Sequence, residues 1–276
     1  MEKVGMVGVG AMGSALLERL KLAGVQATVY DSYPPSLETA RSIGAAIAAS
    51  AAAVARASTI VDVVVRTDQD VLDCVMGKNG LLEGAEAGTL VLLHSTILPQ
   101  TTRKVADAAR QRDVYVMDAC MLGVPSVVRE GNLDFVVGGP AELIDRARPH
   151  LLQMGKRVLH VGPLSAGNVA KIIKNLTSGA ETLIIHEAIQ IGEAAGFPYR
   201  EALEMLRQAY TGTVLDHWER TFDPSGAGST PRPGRNIFGK DIPLAAELGR
   251  QLGLNLPITD QLAAAGLRIL SAKPSP

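Results

Sequence analysis

The segment Val4-Gly5-Met6-Val7-Gly8-Val9-Gly10-Ala11-Met12-Gly13 and the stretch behind it, Ser14 to Ala23, decide the fold. An apolar, β-branched run (Val4–Val9) leads into Gly8-Val9-Gly10-Ala11-Met12-Gly13, and a helical pattern runs from Ala11 to Ala23. A G-x-G-x-x-G string alone is weak and arises by chance. Set between a strand and a helix, with an acidic residue about 20 positions on, it is the fingerprint of a dinucleotide-binding turn. Asp31, at the end of the second apolar run Ala27–Tyr30, supplies that acid.

Each part of the fingerprint has a physical task. Gly8 permits the tight turn, Gly10 lets the backbone approach a pyrophosphate, and Gly13 lets the helix pack closely on the strand. Val9, Ala11 and Met12 complete the loop, and the helix N-terminus turns unpaired N–H groups and its positive dipole end towards phosphate. Asp31 is suited to accept hydrogen bonds from ribose hydroxyls. A 2′-phosphate there would meet a carboxylate, and Ser32 stands where an NADP site often places arginine. NAD is therefore favoured over NADP. The plain alternative, a glycine turn in an unliganded α/β domain, does not need the acid at that spacing.

Outward from this turn the pattern repeats. Apolar runs at 4–9, 27–30, 59–65, 89–93, 114–118 and 135–137 alternate with helical stretches at 11–23, 36–43, 51–57, 70–76, 100–112 and 141–153. The alanine-rich run 45–57 reads as a strand followed by a short helix. Strands alternating with helices mean βαβ units, a mostly parallel sheet and helices on both faces. At Gly162-Pro163 the character changes. Residues 165–195 read as one helix of about thirty residues, ended by Gly196 and Pro198. Its apolar positions, among them Val169, Ile172, Ile173, Leu176, Leu183 and Ile189, cover much of its circumference, which suggests burial against a second subunit as well as its own. Further helices are expected at 200–209, 213–220 and 242–252, with a Gly/Pro/Ser-rich loop over 223–234. The expected architecture is an α/β Rossmann-type doubly wound sheet (1–163) followed by an all-α C-terminal domain (164–276) with a long linking helix.

With 276 residues the chain is long enough for two cores. A net charge of −1 gives no field that marks a nucleic-acid or anionic-membrane partner. Its apolar runs are of strand length, far short of the ~20 residues that span a bilayer. Cys74 and Cys120 are too few and too scattered for a disulfide framework or a zinc site, and both are expected as reduced thiols. The chain opens directly into a strand, so no leader is expected, and the reading is cytoplasmic. His94, His150, His160, His186 and His217 show no metal-ligand spacing and read as ordinary packed or surface histidines. His94 does adjoin the cofactor-side loop.

Near the start of the long helix stands Gly167-Asn168-Val169-Ala170-Lys171-Ile172-Ile173-Lys174-Asn175. Lys171 and Asn175, four apart, share a helix face. Lysines in so apolar a helix are costly to bury without a purpose; the plain alternative is that they snorkel to solvent.

Taken together, the pieces resemble the β-hydroxyacid dehydrogenase family. The matching parts are Gly8–Gly13 with Met12, Ser95-Thr96-Ile97 with Pro99, Asp118-Ala119 with Gly123, Gly167 with Lys171 and Asn175, and Lys240-Asp241. They fall in the family's order along nearly the whole chain. The resemblance implies that Lys171 is the general acid/base and that Asn175 orients the substrate. It implies that backbone around Leu122 and Gly123 contacts a substrate carboxylate. Thr96, the chain around Val65 and Arg66, and Lys240 are implied to line the nicotinamide side. A lysine working near neutrality needs a lowered pKa, which burial and a neighbouring cation such as Lys174 or Lys240 would provide. The family pairs through its long helix, so a homodimer or homotetramer is expected.

The match departs from the family in three places. The substrate loop reads Asp118-Ala119-Cys120-Met121-Leu122-Gly123-Val124, with Leu122 where a hydroxyl usually stands, and Lys174 replaces one of two paired asparagines. The C-terminal segment common in relatives is missing after Leu270. The expectation is a larger substrate, or one anchored less simply through its carboxylate, with Met121, Leu122 and Trp218 as apolar walls and Lys174 or Arg235 as anion contacts. Two other functions compete. An imine reductase on the same fold generally lacks the lysine, so Lys171 argues against it while Leu122 keeps it alive. A catalytically silent nucleotide-binding module would have lost Lys171 and gained further segments.

Overall fold

The computed structural model describes residues 2–194, 196–209, 237–251 and 257–271. The chain divides into two compact units, Met1–Lys171 and Ile172–Pro276.

The first unit is built on an eight-stranded sheet. Its strands are β1 (Val4–Val7), β2 (Ala27–Tyr30), β3 (Ala46–Ile47), β4 (Ile60–Val63), β5 (Leu90–Leu93), β6 (Tyr115–Leu122), β7 (Asp134–Gly138) and β8 (Arg157–Gly162). They lie in the order β3-β2-β1-β4-β5-β6-β7-β8. All neighbours are parallel except β6 and β7. Between them run α1 (Ala11–Leu22), α2 (Pro34–Ile43), α3 (Ala51–Arg56), α4 (Asp68–Met76), α5 (Leu81–Gly84), α6 (Pro99–Arg110), α7 (Pro125–Arg129) and α8 (Ala141–Met154). The order reverses between β1 and β4, which opens a crevice beyond the carboxyl ends of the strands, the place where such sheets bind ligands.

The strands hold because they are apolar on both faces. In β5, Leu90 and Leu92 enter one core with Leu16, Leu20, Phe135 and Met154. Val91 and Leu93 enter the opposite core with Val54, Val71, Val105 and Val116. Two cores flanking one sheet are what a run buried on both sides requires. The expected α/β class and the strand–helix reading of 45–57 both hold. The short helices α5 and α7 went unforeseen, as did two features of the strands. β6 continues past Asp118 to Leu122, so Cys120 sits inside the strand, because β7 returns antiparallel alongside it. β8 lies at the edge of the sheet, with Arg157, Leu159, His160 and Val161 exposed, so its pattern does not alternate.

Two buried carboxylates, Asp118 of β6 and Asp62 of β4, break the apolar rule. Asp62 of β4 is fully buried. It accepts hydrogen bonds from His94 Nε2 at 2.8 Å and from His150 Nε2 of α8 at 2.9 Å. His94 Nδ1 lies 2.7 Å from the Ala119 carbonyl of β6. Burial works to raise the Asp62 carboxyl, but the charge and hydrogen bonds of His150 and His94 outweigh it and hold it below the ordinary carboxylate range. Burial likewise works to lower His150, and the Asp62 charge and hydrogen bond more than offset it, leaving its pKa raised. Cys74 and Cys120 are free thiols, and burial, with Asp70 nearby, pushes Cys74 up to about 12.

The helix α9 (Ala166–Ala194) begins in the first unit and continues into the second. The second unit also contains α10 (Tyr199–Ala209), a short π-helix (Ile237–Asp241), α11 (Ile242–Gln251) and α12 (Pro257–Ser271). Its core gathers Leu183, Ile185, Leu203, Phe238 and Ile242. Phe238 is fully buried there, as its apolar surface demands. The helix at 257–271 was not expected from sequence; Gly266 and three alanines thin its apolar signal. The helix and loop expected at 213–220 and 223–234, with Trp218, Arg235, His217 and the side chain of His186, lie outside the described residues. Among the described residues no helix is long and apolar enough to cross a membrane.

Candidate active site

The glycine turn follows β1 at the sheet's reversal point. Gly8 holds φ +94°, and a Cβ there would lie 2.2 Å from the Val64 carbonyl oxygen. A Cβ on Gly13 would lie 2.1 Å from the Gly8 oxygen, so only glycine brings α1 this close to the strand. A Cβ on Gly10 would meet nothing within 4 Å. The protein's own packing does not require glycine at position 10. Gly10 caps α1 without any side-chain hydrogen bond, and the first turn of α1 carries no acidic residue. Its N–H groups and positive dipole end are thus left for an anion. Met12 packs partly buried against the first core. Asp31 is braced beside the turn: its Oδ2 accepts from Val9 N at 2.6 Å and its Oδ1 from Tyr33 N at 2.8 Å. Ser32 is exposed. This cradle fits a dinucleotide.

Along the same sheet edge, the segments after β4 and β5 are tied together. Ser95 Oγ donates to the Val65 carbonyl at 2.7 Å. Asp68 accepts from Leu98 N at 2.9 Å and from Thr101 Oγ1 at 2.6 Å. Thr67 and Asp70 form a reciprocal capping box at the start of α4, a T-x-x-D signal legible in sequence. Thr96 is buried in this tied loop, whereas Arg66 is exposed.

The head of β6 meets the start of α9. Lys171 Nζ donates to the Met121 carbonyl at 2.6 Å. Leu122 and Gly123, next in the chain, are half-buried. The Asp118 carboxylate accepts from Ser165 N at 2.6 Å and from Asn168 N at 2.8 Å. Burial pushes Asp118 up to about 6, against the backbone N–H groups of Ser165, Asn168 and Gly167, which favour the carboxylate. Registers place these parts on one edge of the sheet: Val7 pairs with Val63, Val63 with Leu93, and Leu93 with Asp118. Gly8 follows Val7, and Met121 lies three residues beyond Asp118. Three strand spacings, about 14 Å, separate β1 from β6.

In the second unit, Asn175 is buried and its Nδ2 donates to Asp241 Oδ2 at 3.1 Å. Lys174 and Lys240 are half-buried there. Sequence reading did not single out Asn168, Thr102, Asp62 or Asp68, because each works through long-range partners that no local spacing announces.

Residues 3–162 match the NAD-binding domain of 6-phosphogluconate dehydrogenase. Residues 165–273 match the NAD-binding domain of NADP-dependent 3-hydroxyisobutyrate dehydrogenase. A 3-hydroxyisobutyrate dehydrogenase of Pseudomonas aeruginosa is 34% identical over 94% of this chain and 89% of its own length. An NAD-dependent L-serine dehydrogenase of the same organism is 30% identical over the same shares of the two chains. Among solved structures, Mycobacterium tuberculosis 3-hydroxyisobutyrate dehydrogenase with L-serine superposes with a TM-score of 0.82 at 25% identity, covering 97% of this chain and 93% of that one. The chain belongs to the β-hydroxyacid dehydrogenase family, nicotinamide-dependent enzymes that act on CH–OH groups.

Proposed function

We propose that the chain interconverts a β-hydroxy acid and its semialdehyde, with Lys171 as the general acid/base. The observation that carries this reading is the hydrogen bond from Lys171 Nζ to the Met121 carbonyl, on the edge of the sheet that bears the glycine cradle. Bound nicotinamide supplies the hydride acceptor or donor. The turn Gly8–Gly13, with Asp31 and Ser32 beside it, holds the adenosine and pyrophosphate end. Val65, Arg66, Thr96 and Lys240 line the nicotinamide side. In oxidation, Lys171 accepts the alcohol proton as the carbon–oxygen double bond forms; in reduction, its ammonium returns that proton to the carbonyl oxygen. The Met121 carbonyl fixes the direction of the ammonium. Asn175, one turn further along α9, has its amide pinned by Asp241 and orients the substrate.

L-Serine and 3-hydroxyisobutyrate, named in the relatives, share the core HOCH2–CHR–COO⁻. In this chain Leu122 offers no hydroxyl to the carboxylate, so the backbone at Leu122 and Gly123 and the Lys174 ammonium take over that contact. Met121 and Leu122 then favour a larger apolar R group. The runner-up, an imine reductase, leaves Lys171 without a task. The fixed Asp31 carboxylate disfavours a 2′-phosphate, so NAD is preferred. The assembly is a homodimer or homotetramer, supported by Ile173, which is 57% exposed on α9. Two free cysteines agree with a cytoplasmic setting.

Initial rates across 2-substituted 3-hydroxypropanoates and cyclic imines, with NAD and NADP in parallel, test this reading. Larger apolar substituents are expected to outperform serine and 3-hydroxyisobutyrate, and NAD to exceed NADP by about tenfold or more, the effect of one like-charge encounter. Best turnover of the two short acids by a wide margin contradicts the enlarged pocket.

The cradle gives a second test. Gly10→Ala is expected to leave the melting temperature unchanged, because its methyl meets only open space. It should weaken NADH binding by about 5- to 150-fold, the usual cost of overpacking a close contact. Gly13→Ala drives a methyl into the Gly8 oxygen and should lower both stability and affinity. A fluorescence titration of NADH beside a thermal melt reads both; unchanged affinity in Gly10→Ala removes the turn from the cofactor site.

A further inference from the structure

We propose that Asn168 and Asp118 form a positioning pair that locks the lysine-bearing helix to the loop carrying Thr96, so that proton and hydride partners are held in one frame. The inference rests on the roles given above to Lys171 and Thr96.

Asn168 is fully buried, one turn before Lys171, and its N–H and both ends of its side-chain amide are engaged. Its N–H donates to Asp118 Oδ2 at 2.8 Å. Its Nδ2 donates to the Ser95 carbonyl at 3.2 Å and reaches Cys120 Sγ at 3.3 Å. Its Oδ1 accepts from Thr102 Oγ1 of α6 at 2.6 Å. One side chain thereby joins α9, the loop after β5, α6 and β6. The Ser95 carbonyl it holds belongs to the peptide that leads directly into Thr96.

Asp118 fixes the origin of the same helix. A buried carboxylate taking two N–H groups at the start of a 29-residue helix is favoured by the helix dipole. Gly167 makes the approach possible, since a Cβ there would lie 2.6 Å from Asp118 Oδ2 and 2.6 Å from the Val136 oxygen. Ser165, a non-glycine residue at φ +77°, completes the turn and receives Arg103 on its hydroxyl at 3.0 Å. Such backbone is held only where its surroundings over-determine it. The helix start is registered on Asp118 and the lysine head on Met121, three residues along one strand. A network saturated on all sides is rigid and shifts as a unit when one bond is lost.

The test uses Thr102→Val, which keeps the shape and removes only the hydroxyl, Thr102→Ser, which restores it, and Asn168→Ala. Steady-state kinetics should give kcat reduced about tenfold in Thr102→Val, near normal in Thr102→Ser, and reduced about 10²-fold in Asn168→Ala, the scale of an ångström of misplacement. KM for NAD should barely change in any of them. In the enzyme without cofactor, amide hydrogen exchange should quicken together in residues 95–98 and 165–171 of Asn168→Ala and Thr102→Val. The proposal is overturned if Thr102→Val and Asn168→Ala keep normal kcat. It is also overturned if kcat and KM for NAD change together with protection lost across the whole sheet, the signature of general destabilisation. If Asn168→Ala does not fold, the Thr102 pair decides alone. Lys171→Ala, assayed alongside, separates the two readings: wild-type activity in that variant refutes the role of Lys171 itself, whereas its inactivity beside normal Asn168 and Thr102 variants refutes only the positioning pair.

Discussion

Replacing Lys171 by alanine is expected to lower kcat by about 10²–10⁴-fold, the range that general acid–base catalysis supplies, with cofactor affinity essentially unchanged. The two effects separate because the cradle is built from Gly8–Gly13 and Asp31, none of which bonds to the lysine in the described structure. The variant should fold. Lys171 is only half-buried, and water can take the place of its hydrogen bond to the Met121 carbonyl. Lys171→Arg should fare little better, because a guanidinium does not release its proton near neutrality. Stopped-flow binding of NADH beside steady-state turnover reads both quantities. Loss of NADH affinity in parallel with kcat would mean the lysine serves the cofactor, not the proton.

The second large effect is on stability. Asp62→Leu keeps the branching at Cγ, with a larger volume, but removes the acceptor shared by His94 Nε2 and His150 Nε2. Breaking a buried charged cluster from one side costs about 3–5 kcal/mol, which urea denaturation at neutral pH would report as a lower midpoint at unchanged slope. Asp62→Asn should cost less, because the amide oxygen still accepts one imidazole. Wild-type stability should carry the site's pH signature. The Asp62 carboxyl lies below its unfolded value, so its contribution is present above about pH 4 and is lost as pH falls through the folded value. His150 lies above its unfolded value, so its contribution is full below about pH 6.5 and is lost as pH rises through the folded value. Both are complete between those limits, so the variant should lower the curve most there and flatten its acid and alkaline flanks. A Leu variant as stable as wild type across that window would show that the cluster contributes nothing net, an outcome some buried ion pairs give.

The fold was legible wherever one strand or helix carries its own pattern. β1, β2 and β5 announce themselves as short β-branched or leucine runs, and the glycine turn supplies the reversal point. The long helix was visible from the absence of internal proline between 165 and 195, and it spans Ala166–Ala194. Less legible was anything set by a partner distant in sequence. β8 is an edge strand whose exposed positions, apolar Leu159 and Val161 among them, follow no period of two. β6 runs on to Leu122 because β7 pairs with it, not because its own residues demand it. In the candidate site, Gly8 and Gly13 were readable because the turn admits only glycine at those places, and Asp31 because it follows directly on β2. Asn168 looked like a helix residue beside a lysine; its meaning lies in Ser95 and Thr102, 73 and 66 positions away. The histidines read as ordinary because their shared partner, Asp62, stands 32 and 88 residues off.

The most direct test of the central claim follows one deuterium. β-Hydroxy acids deuterated at the hydroxymethyl carbon, incubated with the enzyme and NAD, should yield the semialdehyde and reduced nicotinamide carrying the label, and the transfer should collapse in Lys171→Ala. If no alcohol passes its deuterium to the nicotinamide while cyclic imines consume reduced cofactor, with or without Lys171, the hydroxy-acid reading and the role of the lysine fall together.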